Sequence, residues 1–322
     1  MTNVLILEIH AEAYAAALRE EFRDLALQVA SSPDDAGIDY GKVEVLIAFG
    51  MGVTDSLFSA MPRLKWVQSL ATGVDHFLRS KTLQRDVILT SGRGIHGPAM
   101  RETVLHLMLS INRDSNALAY NKSVHRWDRR EWPLLSGKTA VVIGTGVAGS
   151  AIGALLQALG MRVIGVSRTP RDVEGFDRVV SQAALAEVAA KADYVINVLP
   201  GGVTNLGIVG RYVFAAMKQS AYFINVGRGE TVDEQALIAV LQAGTIAGAG
   251  LDVFATEPLP ADSQLWDLPN VFLTPHVGGL FREYQEVAMP LILRNMAAFL
   301  ANRPDQMTNV IDRSQPFPGT RT

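Results

Sequence analysis

Three residues in the last third of the chain have types and surroundings that could do chemistry. His276 lies in Thr274-Pro275-His276-Val277-Gly278-Gly279. Glu257 ends Asp252-Val253-Phe254-Ala255-Thr256-Glu257 and precedes Pro258, and Arg228 lies in Asn225-Val226-Gly227-Arg228-Gly229. Each stands beside turn-forming Gly or Pro at the end of an apolar, strand-like run. Together they suit reduction of a carbonyl. The arginine offers a planar fork to a carboxylate, the histidine can give a proton near neutral pH, and the glutamate stabilises the charged imidazolium. Taken singly, each reads equally well as an ordinary turn residue.

A second motif precedes them. Val141-Val142-Ile143-Gly144-Thr145-Gly146-Val147-Ala148-Gly149-Ser150 gives G-x-G-x-x-G after an apolar strand and before a helix expected over residues 151–159. The first glycine permits a tight turn, the second lets the backbone approach a pyrophosphate, and the third allows close helix–strand packing. The helix N-terminus then faces the anion with free N–H groups. The spacing alone is weak, but in its strand–helix–strand setting it assigns Gly144, Gly146, Val147, Ala148 and Gly149 to dinucleotide binding.

The next strand ends in Ser167-Arg168-Thr169-Pro170-Arg171. NAD enzymes usually place an acidic residue there for the ribose 2′-hydroxyl. Arginines at that point suit a 2′-phosphate instead, so NADP(H) is favoured over NAD(H). The competing reading is a pair of solvated arginines neutralised by Asp172 and Glu174.

These residues must be positioned by regular elements, and the chain alternates β-rich runs with Ala/Leu-rich helical stretches throughout. That alternation argues for parallel α/β layers. Strands are expected at residues 4–7, 43–49, 66–70 and 87–90, with helices over 11–27, 100–111 and 115–125. A polar, aromatic arm, Arg126-Trp127-Asp128-Arg129-Arg130-Glu131-Trp132-Pro133, precedes a second series. Its strands are expected at 139–144, 162–167, 194–199, 221–226, 248–253 and 271–274, with a weaker one near 178–180. A helix near 283–300 follows, and the tail from Asp312 is expected to be loosely held.

The 322 residues suggest roughly two domains. Apolar residues make up 48% and charged residues 19%, a globular composition. A net charge of −3 without a basic block disfavours nucleic-acid binding. The lack of cysteine excludes disulfides, thiolate catalysis and cysteine-based zinc sites, and fits a reducing cytoplasm. No metal site is expected. The N-terminus reads as a first strand rather than a signal peptide. No apolar run approaches the roughly 20 residues of a membrane helix.

Taken together, the motifs resemble the D-isomer-specific 2-hydroxyacid dehydrogenase family, in particular its glyoxylate/hydroxypyruvate reductase-like branch. The resemblance is strongest in Ala192-Asp193-Tyr194-Val195-Ile196-Asn197-Val198-Leu199-Pro200, then over residues 223–234 and 247–279. It implies two Rossmann/flavodoxin-like parallel-sheet domains with a cleft between them. The substrate domain would be discontinuous (1–112 plus 290–322), with the dinucleotide domain at 113–289. By that resemblance Arg228 binds the substrate carboxylate and polarises the keto oxygen. His276 is general acid in reduction and base in oxidation, and Glu257 bonds its other nitrogen.

The resemblance also places Leu70, Ala71, Thr72 and Gly73 in a loop whose N–H groups hold the carboxylate. Asp252 would hold the nicotinamide carboxamide. Leu199, Pro200 and Thr204 would pack on the cofactor, joined by Val226, Gly227 and Gly278. Met51 is read either as touching the substrate side chain or as a buried methionine. Trp127 and Trp132 lie in the arm that in this family tends to reach across a homodimer, or they cap their own domain. Two stretches depart from common family patterns: Arg93-Gly94-Ile95-His96-Gly97-Pro98, and Gly202-Val203-Thr204-Asn205 in place of the usual Thr-Pro-Glu-Thr.

The implied activity is NADP(H)-dependent reduction of a small 2-keto acid to the D-2-hydroxy acid. A dinucleotide-sensing, corepressor-like binding protein on the same fold is the alternative.

Overall fold

A computed structural model describes residues 1–50 and 52–314. The chain forms two compact α/β units, one from Met1–Ile95 with the segment from Phe281 onward, the other from His96–Leu280.

The first unit opens with β1 (Thr2–Leu7), α1 (Ala11–Glu21), β2 (Leu25–Ala30), β3 (Val45–Ala48), α2 (Asp55–Ser59), β4 (Trp66–Ser69), α3 (Asp75–Arg79) and β5 (Ile88–Thr90). Its five strands are parallel, in the order β2-β1-β3-β4-β5. Side chains alternate across the sheet, as the pleat requires. Val4, Ile6, Val45, Ile47 and Trp66 meet Tyr14, Ala15 and Leu18 of α1 on one face. Leu5, Leu46, Val67 and Leu89 meet Leu57, Phe58 and Phe77 on the other. Each such fully buried aliphatic side chain contributes roughly 1.5–3 kcal/mol.

One expectation fails here. The helix anticipated to run to Leu27 stops at Glu21, because Phe22 takes an extended φ of −127°. Leu25–Ala30 is instead an edge strand, paired to β1 from Thr2↔Leu25 through Leu7↔Ala30. Leu25, Ala26 and Leu27 are good helix formers, but pairing with a buried neighbour overrides local propensity.

The second unit begins with α4 (Gly97–Asn112) and α5 (Ser115–Ser123). Then follow β6 (Thr139–Ile143), α6 (Val147–Ala158), β7 (Arg162–Ser167), β8 (Arg178–Ser181), α7 (Leu185–Ala189), β9 (Tyr194–Asn197) and α8 (Arg211–Ala216). β10 (Tyr222–Asn225), α9 (Glu234–Gln242), β11 (Gly248–Leu251) and β12 (Val271–Leu273) complete it. All seven strands are parallel, ordered β12-β11-β10-β9-β6-β7-β8. The order reverses between β6 and β9, where open parallel sheets bind ligands outside their carboxyl ends.

Helix α4, which the sequence pattern groups with the first domain, packs in the second. Val104, Leu107 and Met108 join Val142, Ile152, Ile196 and Ile224 in one core. A Cβ at Gly250 would stand 2.9 Å from Leu107 Cβ, so a glycine in β11 lets α4 lie close to the sheet. The chain then returns to the first unit through α10 (Tyr284–Leu300). There Tyr284, Ala288, Ile292 and Met296 pack into the core that α1 shares. No helix among the described residues is long and apolar enough to cross a membrane.

Candidate active site

The second unit places its candidate residues just past the carboxyl ends of β6, β7, β9, β10, β11 and β12, along one edge of the sheet. The Gly-rich turn follows β6. Gly144 has φ +111°, a conformation L side chains rarely adopt. A Cβ on Gly149 would stand 1.9 Å from the Gly144 carbonyl oxygen, so α6 can approach the turn only with glycine there. A Cβ on Gly146 would meet nothing within 4 Å, and as the N-cap of α6 Gly146 supplies no side-chain hydrogen bond. The first turn of α6 therefore keeps room and N–H groups for an anion. These residues fit the pyrophosphate of a dinucleotide, with Val147 exposed and Ala148 partly buried at the helix start.

Ser167 ends β7, and its hydroxyl donates to the Thr169 carbonyl at 3.3 Å. Arg168, Thr169 and Arg171 are exposed. Among the described residues neither arginine forms an ion pair.

Arg228 follows β10 between two glycines whose role is steric. A Cβ on Gly227 would stand 2.5 Å from the Leu199 carbonyl, and one on Gly229 would stand 1.9 Å from the Phe254 carbonyl carbon. The arginine is thus held between the loop after β9 and the loop after β11. Its Nη1 donates to the Gly227 carbonyl at 2.8 Å. Leu199 and Val226 are buried, while Pro200 and Thr204 are exposed. Glu230 supports the loop that carries them: its Oε1 accepts from the Gly202 N–H at 2.8 Å and its carbonyl from the Gly207 N–H at 3.0 Å.

His276 and Glu257 are brought together from loops 19 residues apart, with His276 Nδ1 2.6 Å from Glu257 Oε2. The Phe254 N–H donates to Glu257 Oε1 at 2.9 Å. Burial pushes the Glu257 carboxyl up. The bonds from His276 and Phe254, with the charges of His276 and Arg228, outweigh it and leave the group below its ordinary value.

The His276 loop is fastened from below by Asp252, which is 2% exposed. Oδ1 accepts from Thr274 Oγ1 at 2.6 Å and from the Val277 N–H at 3.0 Å, and Oδ2 accepts from the Gly278 N–H at 3.0 Å. His276 N–H donates to the Asp252 carbonyl at 2.9 Å. Thr103 Oγ1 donates to the Gly278 carbonyl at 3.1 Å. These bonds hold His276 at φ +53°. That left-handed conformation costs a non-glycine residue on the order of 1 kcal/mol and persists only where its surroundings over-determine it.

The first unit carries the loop after β4. Leu70 is buried, Ala71 and Gly73 are partly buried, and Thr72 is exposed. Gly92 lies under this loop: its N–H donates to the Ala71 carbonyl at 2.8 Å, and a Cβ there would stand 2.2 Å from the Leu70 carbonyl oxygen. The Tyr284 hydroxyl donates to that same Leu70 carbonyl. Met51 lies outside the described residues.

Sequence reasoning missed the groups that hold the site. Thr274, Thr103, Glu230 and Tyr284 gave no signal of their own. Asn197 and Asn225 did give one: each is a polar residue ending an apolar strand, and they stand side by side in register.

The family model described as D-isomer specific 2-hydroxyacid dehydrogenase, NAD binding domain, matches residues 105–278. The chain belongs to this family. A glyoxylate/hydroxypyruvate reductase B of Yersinia pestis (strain Pestoides F) is 34% identical over 248 residues, covering 75% of this chain and 76% of the relative. A D-isomer specific 2-hydroxyacid dehydrogenase family protein from Aeromonas salmonicida superposes with a TM-score of 0.89 at 33% identity, covering 97% of this chain and 99% of that one. An NADPH-dependent glyoxylate/hydroxypyruvate reductase from Sinorhizobium meliloti, solved with NADP and sulfate, gives 0.83 at 28% identity, covering 97% and 98%. Within the 2-hydroxyacid dehydrogenases the chain falls in the glyoxylate/hydroxypyruvate reductase-like branch, and it is an NAD(P)-dependent oxidoreductase.

Proposed function

We propose that this 2-hydroxyacid dehydrogenase reduces a small 2-keto acid of the glyoxylate or hydroxypyruvate kind to the D-2-hydroxy acid, using NADP(H) in preference to NAD(H). The observation that carries the reading is the 2.6 Å His276–Glu257 pair, formed from loops on neighbouring strands. In this reading the first unit is the substrate domain and the second the dinucleotide domain.

A bound reduced nicotinamide would supply the hydride. Arg228 takes the substrate carboxylate in its planar fork and draws electron density from the keto oxygen. His276, paired through Nδ1 with Glu257, has Nε2 left to give a proton to that oxygen and to take it back in oxidation. Glu257 stabilises the imidazolium and fixes the ring's direction. Asp252 acts here first through the His276 loop that it fastens. The loop at Leu70, Ala71, Thr72 and Gly73 would add N–H groups for the carboxylate.

The preference for NADP(H) rests on Arg168 and Arg171, exposed and without ion pairs among the described residues. It agrees with the NADP held by the similar Sinorhizobium enzyme. A cytoplasmic homodimer completes the reading, supported by the absence of cysteine and by Trp127, 91% exposed in the arm. The sensing alternative gains no support, since the matched relatives are named as reductases.

The test follows loss of reduced-nicotinamide absorbance with NADPH and with NADH, across 2-keto acids from glyoxylate to phenylpyruvate. Turnover with NADPH preferred is the expected result. Preference for NADH would remove the role of Arg168. Silence across the panel, with dinucleotide still bound, would sink the reductase reading.

A further inference from the structure

Beneath Arg228 lies a polar cluster that the proposed chemistry does not itself use. Asn197 closes β9 and Asn225 closes β10, paired in register. Thr231 lies three residues beyond Arg228. The three are 0%, 2% and 0% exposed. Buried amides and hydroxyls are kept only where they are bonded.

The Leu199 N–H donates to Asn197 Oδ1 at 3.4 Å, and the Gly227 N–H donates to Asn225 Oδ1 at 3.2 Å. A backbone N–H can only donate, so these contacts settle which end of each amide is oxygen. Asn197 Nδ2 then donates one proton to Asn225 Oδ1 at 2.9 Å and the other to Thr231 Oγ1 at 2.7 Å. The Thr231 hydroxyl has one proton, and it goes to the Arg228 carbonyl at 2.6 Å.

The cluster therefore ends on three backbone groups: the Leu199 N–H, the Gly227 N–H and the Arg228 carbonyl. The first two belong to segments assigned to the cofactor, and the third to the residue assigned to the carboxylate. The backbone between them has little freedom, because Gly227 and Gly229 are each pressed against a neighbouring loop.

We infer that Asn197, Asn225 and Thr231 form a positioning network, in which Thr231 fixes the direction from which the Arg228 backbone presents its guanidinium to a carboxylate. The inference rests on the proposed role of Arg228. Thr231 acts on the carboxylate alone, whereas Asn197 acts on both the carboxylate and the dinucleotide loop.

The test compares the unmodified protein with Thr231→Val, Thr231→Ser and Asn197→Leu. The readouts are the dissociation constant of the dinucleotide, that of oxamate on the dinucleotide-loaded protein, the keto-acid KM and the thermal midpoint. Oxamate keeps the carboxylate and carbonyl but is not reduced. Thr231→Val should weaken oxamate and raise the keto-acid KM by between about 10- and 100-fold, as misplacement of a binding group by up to an ångström does. Its dinucleotide affinity should stay within about twofold, because the Asn197–Leu199 bond remains. Thr231→Ser should restore the oxamate affinity, and Asn197→Leu should weaken both ligands.

Unchanged oxamate affinity in Thr231→Val would overturn the inference. So would an equal loss of both ligands, accompanied by a lowered midpoint and unrelieved by serine. Should the valine variant not fold, Thr231→Cys, with only a weak S–H donor, replaces it in the same comparison. If the unmodified, dinucleotide-loaded protein does not bind oxamate, the reading of Arg228 fails and takes the inference with it. That failure is visible before any variant is made.

Discussion

Two loops present arginine at the carboxyl end of a parallel strand, and they are built in opposite ways. Around Arg228 the backbone is fixed on every side: Gly227 lies against Leu199, Gly229 against Phe254, and the carbonyl accepts from buried Thr231. Around Arg168 the loop is exposed, and its Ser167–Thr169 bond is local. Only its far end is pinned, where a Cβ on Gly175 would stand 2.6 Å from the Ser150 carbonyl of α6. Under the proposed roles, the difference follows the demand on each side chain. A group beside a reacting carbonyl must be held to a fraction of an ångström. A phosphate on the rim of a cofactor can be met by a long side chain that settles around it.

The comparison can be broken at its rigid end first. His276→Gln should lower kcat about 1,000-fold, the scale of a lost general acid, while calorimetry shows dinucleotide affinity intact. Near-normal turnover would remove His276 from the chemistry. Next comes Gly229→Ala, which forces a methyl group into the Phe254 carbonyl and should lower unfolding free energy by about 3 kcal/mol. A denaturant midpoint unchanged from that of the unmodified protein would show that the two loops yield.

The exposed end should respond more mildly and only toward one ligand. Arg168→Ala should raise the NADPH KM about tenfold, the scale of one charge-assisted hydrogen bond, and leave the NADH KM nearly unchanged. An equal rise for both would count against a 2′-phosphate contact.

The smallest effect concerns pH. The Glu257 carboxyl lies below its ordinary value of 4.5 when folded. Its stabilising contribution is therefore complete above the unfolded value and is lost as pH falls through the lowered folded one. The thermal midpoint of the unmodified protein should fall more steeply in that acid range than that of Glu257→Gln. Parallel curves would show that the pair with His276 adds nothing to folding.

The places of Arg228, Glu257 and His276 at strand ends were legible in the sequence because each stands beside a glycine or a proline. The Gly-rich turn was legible for the same reason: Gly144 takes a positive φ and Gly149 lies against the Gly144 carbonyl, while Gly146 leaves open space at the start of α6. Asn197, Asn225 and Thr231 were less so. Their meaning lies in a pairing between β9 and β10, and a linear pattern shows one strand at a time. Helix α4 was misplaced for a related reason: its apolar face tells that it is buried, not which sheet buries it. The edge strand β2 was hidden by residues equally at home in a helix.

One consequence concerns the order in which the molecule can assemble. The second unit is continuous in the chain, so all its strands have been made by the time Leu280 is synthesised. The first unit has its strands within Met1–Ile95, yet the face of its sheet that carries α1 is closed by α10. Until Tyr284, Ile292 and Met296 emerge, that apolar face has no cover from them. The unit whose strands are made before those of the second is thus completed after them. A chain released before α10 would expose an incomplete first unit beside a second unit whose own strands are all present.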